Sequence, residues 1–284
     1  MMLLRFVMIA WLCLGSLNLY AEPLKVVASF SIIADWAKQI GVDKVQVQSM
    51  AGADAESHDY PLRPQDMRNL KQAQLVLYAG AGFDDWVKRS GHPQLVALSQ
   101  GLALRKTNAG TDPHFWHDIR LVQQAVVAIA QHYSRLDPAN TAYYQQRLKQ
   151  YQQELKSTEL WAVQQMQSVP ALRRKMLTAH DAFAYLGVHH GITVIALQGQ
   201  NHHSELRPQQ LVAVIQRIRK ENIHAAFLET LTNPKLLQQL KNEANIQINP
   251  PLYADALSRP QGPAASYLAL YRYNVQIIVK GLRH

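Results

Sequence analysis

DPANTAYYQQRLKQYQQELKSTELWAVQQMQS, residues 137–168, holds no glycine and, after Pro138, no proline. It is rich in strong helix formers such as Gln145, Arg147, Leu148, Lys149, Glu154 and Leu155. Asp137 can cap the unpaired amides at the start, and Pro138 suits the first helical turn. About 30 residues at 1.5 Å each predict a rod of about 45 Å, long for one compact domain. Tyr144, Leu148, Tyr151 and Leu155 recur at helical spacing and form one apolar stripe to lie along a protein surface. Two readings stay open here: a helix that joins two bodies, or a long packing helix inside one.

On both sides of this rod, short β-branched runs alternate with helical stretches. Before it, Leu24 to Phe30, Val45 to Met50 and Leu75 to Ala79 read as strands, with helices at Ser31 to Ile40 and Pro64 to Gln72. After it, strands are expected at 175–178, 192–197, 225–228 and 247–249, and helices at 182–190, 208–222, 234–243 and 264–280. Such alternation predicts parallel sheets with helices on both faces, and right-handed crossovers make a doubly wound unit the default. The expected architecture is therefore α/β, with two doubly wound, parallel-rich lobes, residues 22–136 and 169–284, joined by the helix 137–168.

The first 21 residues read as a cleavable secretory signal. Arg5 is their only charge, Phe6 to Leu14 is an apolar core, and Ala21 precedes Glu22. That core is too short for a bilayer, which needs about 20 apolar residues, although Leu19 is an imperfect residue before the cut and an uncleaved anchor is the alternative. Cys13, the single cysteine, follows Leu12, not the small residue a lipidation signal requires. The mature chain is thus expected to be periplasmic and unlipidated, with neither a disulfide nor a thiolate ligand. Lys and Arg outnumber Asp and Glu by 29 to 20. Yet they are scattered, with local groups only at 173–175 and 217–220, so no nucleic-acid surface is expected. No later segment is long and apolar enough to span a membrane.

The residues that can carry chemistry are histidines and carboxylates near strand ends. His58-Asp59-Tyr60-Pro61-Leu62-Arg63-Pro64-Gln65-Asp66 follows the second strand, and Asp112-Pro113-His114-Phe115-Trp116-His117-Asp118 precedes a helix. His180-Asp181-Ala182-Phe183-Ala184-Tyr185 follows the strand at 175–178. Tyr253-Ala254-Asp255-Ala256-Leu257-Ser258 follows the last strand. Ligands of open α/β sheets collect at the carboxyl ends of strands. Each residue alone has a plainer role: a lone histidine as a hydrogen-bonding group, Asp181 as a cap, Asp255 as a turn former. Together, three imidazoles and a carboxylate suit zinc, though paired cysteines and His-Glu-x-x-His are both missing.

In this order and spacing, His58-x-Tyr60-x-x-x-Pro64-x-Asp66, Asp112-Pro113-His114-x-Trp116, His180-x-Ala182-Phe183-x-Tyr185 and Tyr253-x-Asp255-x-Leu257-Ser258 resemble the four ligand motifs of one family. It is the metal-specific solute-binding proteins of ABC importers (cluster A-I), zinc-binding type, and the likeness spans the mature chain. The resemblance implies two α/β lobes joined by one rigid helix, with the metal in the cleft between them. His58 and His114 would come from the first lobe, His180 and Asp255 from the second. It implies a monomeric binder, not an enzyme, that hands its ion to a membrane permease. In that family, histidine at the position of His180 accompanies zinc, and glutamate there accompanies manganese or iron. Three imidazoles make a softer site than two carboxylates would.

Departures from the pattern matter as well. The family places an apolar residue and then a proline after the tryptophan, where this chain has His117, Asp118 and Ile119. Ser99 to Thr111 lacks the histidine-rich loop of many zinc members. His202-His203 offers a weak place to catch metal first, or is a solvated loop pair. His117 is expected behind the ligands or exposed, and His189-His190 at a helix end is expected to answer the helix dipole. Rival functions are manganese or iron transport, a periplasmic metal chaperone or adhesin, and a zinc hydrolase. A hydrolase needs an open coordination position, which four protein ligands leave no room for.

Overall fold

The computed structural model describes residues 22–108, 110–199, 208–229 and 240–283. The expected signal segment with Cys13, the pair His202-His203 and most of the expected helix 234–243 lie outside those residues.

The N-terminal sheet contains β1 (Leu24–Phe30), β2 (Val45–Ala51), β3 (Leu75–Tyr78) and β4 (Leu95–Ala97). The C-terminal sheet contains β7 (Lys175–Thr178), β8 (Thr193–Ala196), β9 (Ala225–Glu229) and β10 (Gln247–Leu252). All their pairings are parallel. A short antiparallel hairpin of β5 (Lys106–Thr107) and β6 (Gly110–Thr111) stands apart. The sheet orders are β2-β1-β3-β4 and β10-β9-β7-β8. Numbered within its own lobe, the second sheet reads 2-1-3-4 from its other edge, the same topology as the first. β1, β3 and β9 are apolar and buried almost throughout, as parallel strands covered on both faces must be. β4 went unread in the sequence because three residues carry too little pattern.

The helices are α1 (Ser31–Gly41), α2 (Pro64–Gln72), α3 (Ile119–Leu136), α4 (Thr141–Gln167), α5 (Ala184–His190), α6 (Pro208–Glu221) and α7 (Tyr267–Arg283). α4 is the rod, 27 residues and so about 40 Å long. Its stripe of Tyr144, Leu148, Tyr151 and Leu155 is buried against α1, α3 and α7. A 3-10 turn, Pro138–Asn140, precedes it, and Asp137 does not cap its backbone amides as expected. Instead its carboxylate accepts from Tyr144 Oη at 2.8 Å and Asn140 Nδ2 at 2.7 Å, so it fastens the first turn through side chains.

α7 packs on β9, β10 and α4, and touches α1, so two helices tie the sheets together. Gly281 permits this closeness, because a Cβ there would stand 2.5 Å from Asn249 Oδ1 and 2.7 Å from the Phe227 ring. One apolar core runs from β1, α1 and α3 through α4 into Met176, Phe183, Phe227 and α7. A second, smaller cluster of Leu177, Ile195, Ile215, Ile218 and Leu228 fills the far face of the second sheet. The rod thus joins two lobes, and the lobes share a core.

Candidate metal centre

The carboxyl ends of both sheets face each other, and each of the four singled-out residues sits in a loop there. His58 lies between β2 and α2, His114 between β6 and the 3-10 turn Phe115–His117, His180 just after β7, and Asp255 after β10. All four are buried, with one ligand atom from each lying within 4.8 Å of the others. Asp255 Oδ2 is 3.2 Å from His180 Nε2 and 3.5 Å from His58 Nε2, and Oδ1 is 3.8 Å from His114 Nε2. The Nε2 atoms of His58 and His114 are 3.4 Å apart. A tetrahedral ion with metal–nitrogen bonds near 2.0–2.1 Å has ligand–ligand edges of about 3.3 Å, so the donors match such a cage.

The remaining motif residues build the walls. Asp66 accepts from Arg63 N at 2.8 Å, completing a capping box on α2, and from Tyr60 Oη at 3.1 Å, which fixes the His58 loop. Asp112 accepts from the backbone amide and Nδ1 of His114, at 3.1 and 3.0 Å. Other motif residues cross between lobes. Trp116 Nε1 donates to Ala254 O at 2.8 Å, Tyr185 Oη donates to Asp112 O at 2.8 Å, and Leu257 N donates to Ser31 Oγ at 2.9 Å. Ser57 Oγ reaches Asp255 O at 3.4 Å.

Two residues of the centre escaped the sequence reading. Glu229, at the carboxyl end of β9, stands 3.2 Å from His180 Nδ1 and accepts from His180 N at 3.5 Å. Its signal was a charged residue closing an otherwise apolar strand. Phe83 is fully buried, with its ring 4.3 Å from that of His58 and 5.9 Å from that of His114, a dry wall behind two ligands. Asp84 anchors its turn by accepting from Ala79 N and Gly80 N at 2.7 and 2.8 Å, and burial pushes its carboxyl up to about 6.

Asp112 and Glu229 hold the outer nitrogens of His114 and His180, which turns Nε2 inward on both rings. Such carboxylate–histidine pairs orient metal ligands and raise their basicity. Burial lowers His114, with Asp112 opposing it. Burial also works against a charge on His180, but Asp255 and Glu229 outweigh it and raise that imidazole to about 10. A metal ion and a proton therefore compete for His180.

Two lesser expectations are corrected and one is decided. Asp181 does not cap the next helix, whose N-cap is Phe183, and burial raises its carboxyl. His117 lies behind the ligands and is fully buried, not exposed; desolvation holds it down at about 3. His190 is buried too, shares a 3.1 Å hydrogen bond with Tyr271 Oη and is lowered to about 3 by burial. His189, lowered chiefly by burial, lies 3.7 Å from Glu159 of α4. Burial works against a charge on both of these helix-end histidines, so a dipole acting on a cation does not explain them.

Two parallel α/β lobes around a His3Asp cage make this chain a metal-binding solute-binding protein of the ABC-importer type. It belongs to the ZnuA family (zinc-uptake complex component A, periplasmic), whose model matches residues 26–281. The manganese-binding lipoprotein MntA of Halalkalibacterium halodurans is 27% identical over 268 residues, 92% of this chain and 89% of that one. The manganese ABC transporter substrate-binding lipoprotein PsaA of Streptococcus anginosus is 25% identical over 277 residues, 92% and 90% of the two chains. The solved periplasmic zinc-binding protein TroA of Treponema pallidum superposes with a TM-score of 0.87 at 28% identity, over 93% of this chain and all of that one. With relatives of this kind, the chain is a binding protein and not an enzyme.

Proposed function

We propose that this protein captures zinc in the periplasm, through Nε2 of His58, His114 and His180 and the carboxylate of Asp255, and delivers it as a monomer to the permease of an ABC importer. The observation that carries the reading is the convergence of three buried imidazoles on one carboxylate. Two of those imidazoles have a carboxylate on the outer nitrogen. Export rests on the signal pattern of residues 1–21, and no helix among the described residues is long and apolar enough to cross a membrane. The mature chain then consists of lobes 22–136 and 169–284 with the helix 137–168 between them.

Zinc is favoured over manganese or iron by the donors. Three neutral nitrogens and one carboxylate suit four-coordination, whereas manganese takes more oxygen ligands and sits at the weak end of the divalent affinity order. Manganese is the second reading, because MntA and PsaA carry manganese in their names while TroA is named for zinc. Competition titration of the mature protein against a chromogenic chelator separates the two. We expect zinc at nanomolar Kd or tighter, about −12 kcal/mol, and manganese at least about 100-fold weaker. Equal affinities, or manganese alone in protein isolated from cells, would establish the second reading.

A further inference from the structure

His117 has no part in the cage, yet it is one of the most enclosed polar side chains in the molecule. It extends from the first lobe into the second: its ring is fully buried, 4.4 Å from that of Phe183 and 6.1 Å from that of its neighbour Trp116. Among the polar groups around it, the backbone carbonyl of Ala254 is the one placed to accept from its ring. Even so, neither ring nitrogen makes a hydrogen bond of ordinary geometry. Burying an imidazole that is poorly satisfied costs stability, and an apolar side chain of similar size would fill the same space without that cost. A native chain that keeps such a group commonly does so for function.

Its position suggests what that function is. Ala254 immediately precedes Asp255, the sole anionic donor of the cage. Trp116 Nε1 already donates to the Ala254 carbonyl at 2.8 Å, and Trp116 is itself fixed by Tyr267 Oη, which donates to its carbonyl at 2.6 Å. A carbonyl oxygen accepts two hydrogen bonds, so one lone pair remains for a second donor. No other side-chain donor among the described residues bonds this carbonyl. The ring of His117 packs on Phe183, a residue of the second lobe, 4.4 Å between ring centroids.

We infer that His117 is a positioning residue for Asp255: with the ion held, its ring N–H joins Trp116 on the Ala254 carbonyl and holds the peptide that aims the carboxylate at the metal. This rests on the ligand set proposed above. Trp116 and His117, adjacent in sequence, then form a two-pronged clamp from the first lobe on the one anionic ligand of the second. The clamp acts on where Asp255 points, not on whether the chain folds.

That distinction makes stability and binding move in opposite directions. The mature protein carrying His117→Leu, titrated with zinc against a chromogenic chelator, should bind zinc about tenfold more weakly. The melting temperature of the same variant without metal should be no lower than the parent's. His117→Gln, which restores a neutral N–H, should recover affinity to within about threefold of the parent. Because the effect runs through Asp255, His117→Leu should cost nothing further in an Asp255→Ala background. Zinc affinity within twofold of the parent in His117→Leu overturns the proposal, as does a tenfold loss that persists without Asp255. If His117→Leu does not fold, His117→Met carries the same comparison. Asp255→Ala alone is the control: unchanged zinc binding there overturns the ligand set, a failure distinct from that of the clamp.

Discussion

The two lobes have one topology and place their shares of the His3Asp cluster differently. Both sheets run 2-1-3-4 with every strand parallel. In the first lobe, His58 follows the second strand, and His114 comes from the long excursion after the fourth. In the second, His180 follows the first strand and Asp255 the fourth. The crevice between the first and third strands, where crossovers change direction, is the usual ligand site of such sheets. In the second lobe that crevice holds His180 and Glu229. In the first it holds Phe83 and the buried carboxylate of Asp84, which pins a turn. One sheet therefore brings a histidine to the cluster from its crevice and the other closes the cluster off with an aromatic wall. A shared fold does not dictate the chemistry; the loops do.

The comparison is most directly broken by removing ligands lobe by lobe. Asp255→Ala and His180→Ala, from the second lobe, should weaken zinc binding by about 100-fold or more, and His58→Ala and His114→Ala by at least about tenfold, since even outer partners of ligands are worth 10–100-fold. Isothermal or chelator-competition titration reads this directly. Full affinity in both first-lobe variants would make the site a property of the second lobe alone. Next come the outer carboxylates, one per lobe. Asp112→Asn and Glu229→Gln should each cost about 10–100-fold in affinity with the fold intact by circular dichroism. A loss confined to Glu229→Gln would show that only the crevice-fed histidine needs its partner.

A smaller effect separates the lobes by pH. His190 of the second lobe is lowered to about 3 when folded, against about 6.5 unfolded. The unfolded chain therefore takes up the proton first. The group contributes its full stability above pH 6.5 and loses it as pH falls toward 3, by about 1.4 kcal/mol per unit. Urea unfolding of metal-free protein at pH 6.5 and pH 5 should show His190→Leu losing about 2 kcal/mol less than the parent. The slope due to His117 of the first lobe should survive in that variant. Identical losses in parent and variant would place the acid response elsewhere. The smallest effect is Tyr60→Phe, which removes the bond to Asp66 in the first lobe and should cost about 1 kcal/mol of stability.

Much of this was legible in the sequence because several residues at once agreed on a role. The rod showed itself by a long run of helix formers with one apolar stripe. The four motifs pointed to histidines and an aspartate that the fold brings together, because each motif also contains the residues that fix its loop: Asp66 with Tyr60, Asp112 with His114, Trp116 with Ala254. What stayed hidden depends on contacts distant in the chain. Glu229 matters only because β9 lies beside β7, and Phe83 only because its turn folds over His58. The histidines at 189 and 190 looked like dipole partners at a helix end, and the sequence leaves His117 between two places, since their surroundings are set by Tyr271, Glu159 and Phe183 from other elements. Asp137 looked like a backbone cap because composition does not reveal that Tyr144 reaches it first.

The apolar core that passes without a break from the first sheet through the rod to the C-terminal helix sets how the molecule melts. Two lobes separated by a polar linker would each give a calorimetric peak, and an ion gripped from both sides would couple two otherwise independent transitions. Here Phe183, Phe227, Tyr267 and the rod's Tyr151 belong to the same packed mass as Val26 and Trp36, so neither half retains a complete interior without the other. Heat should dissolve both sheets together, with van't Hoff and calorimetric enthalpies in agreement. Bound ion should then shift that one transition upward by mass action, without splitting it.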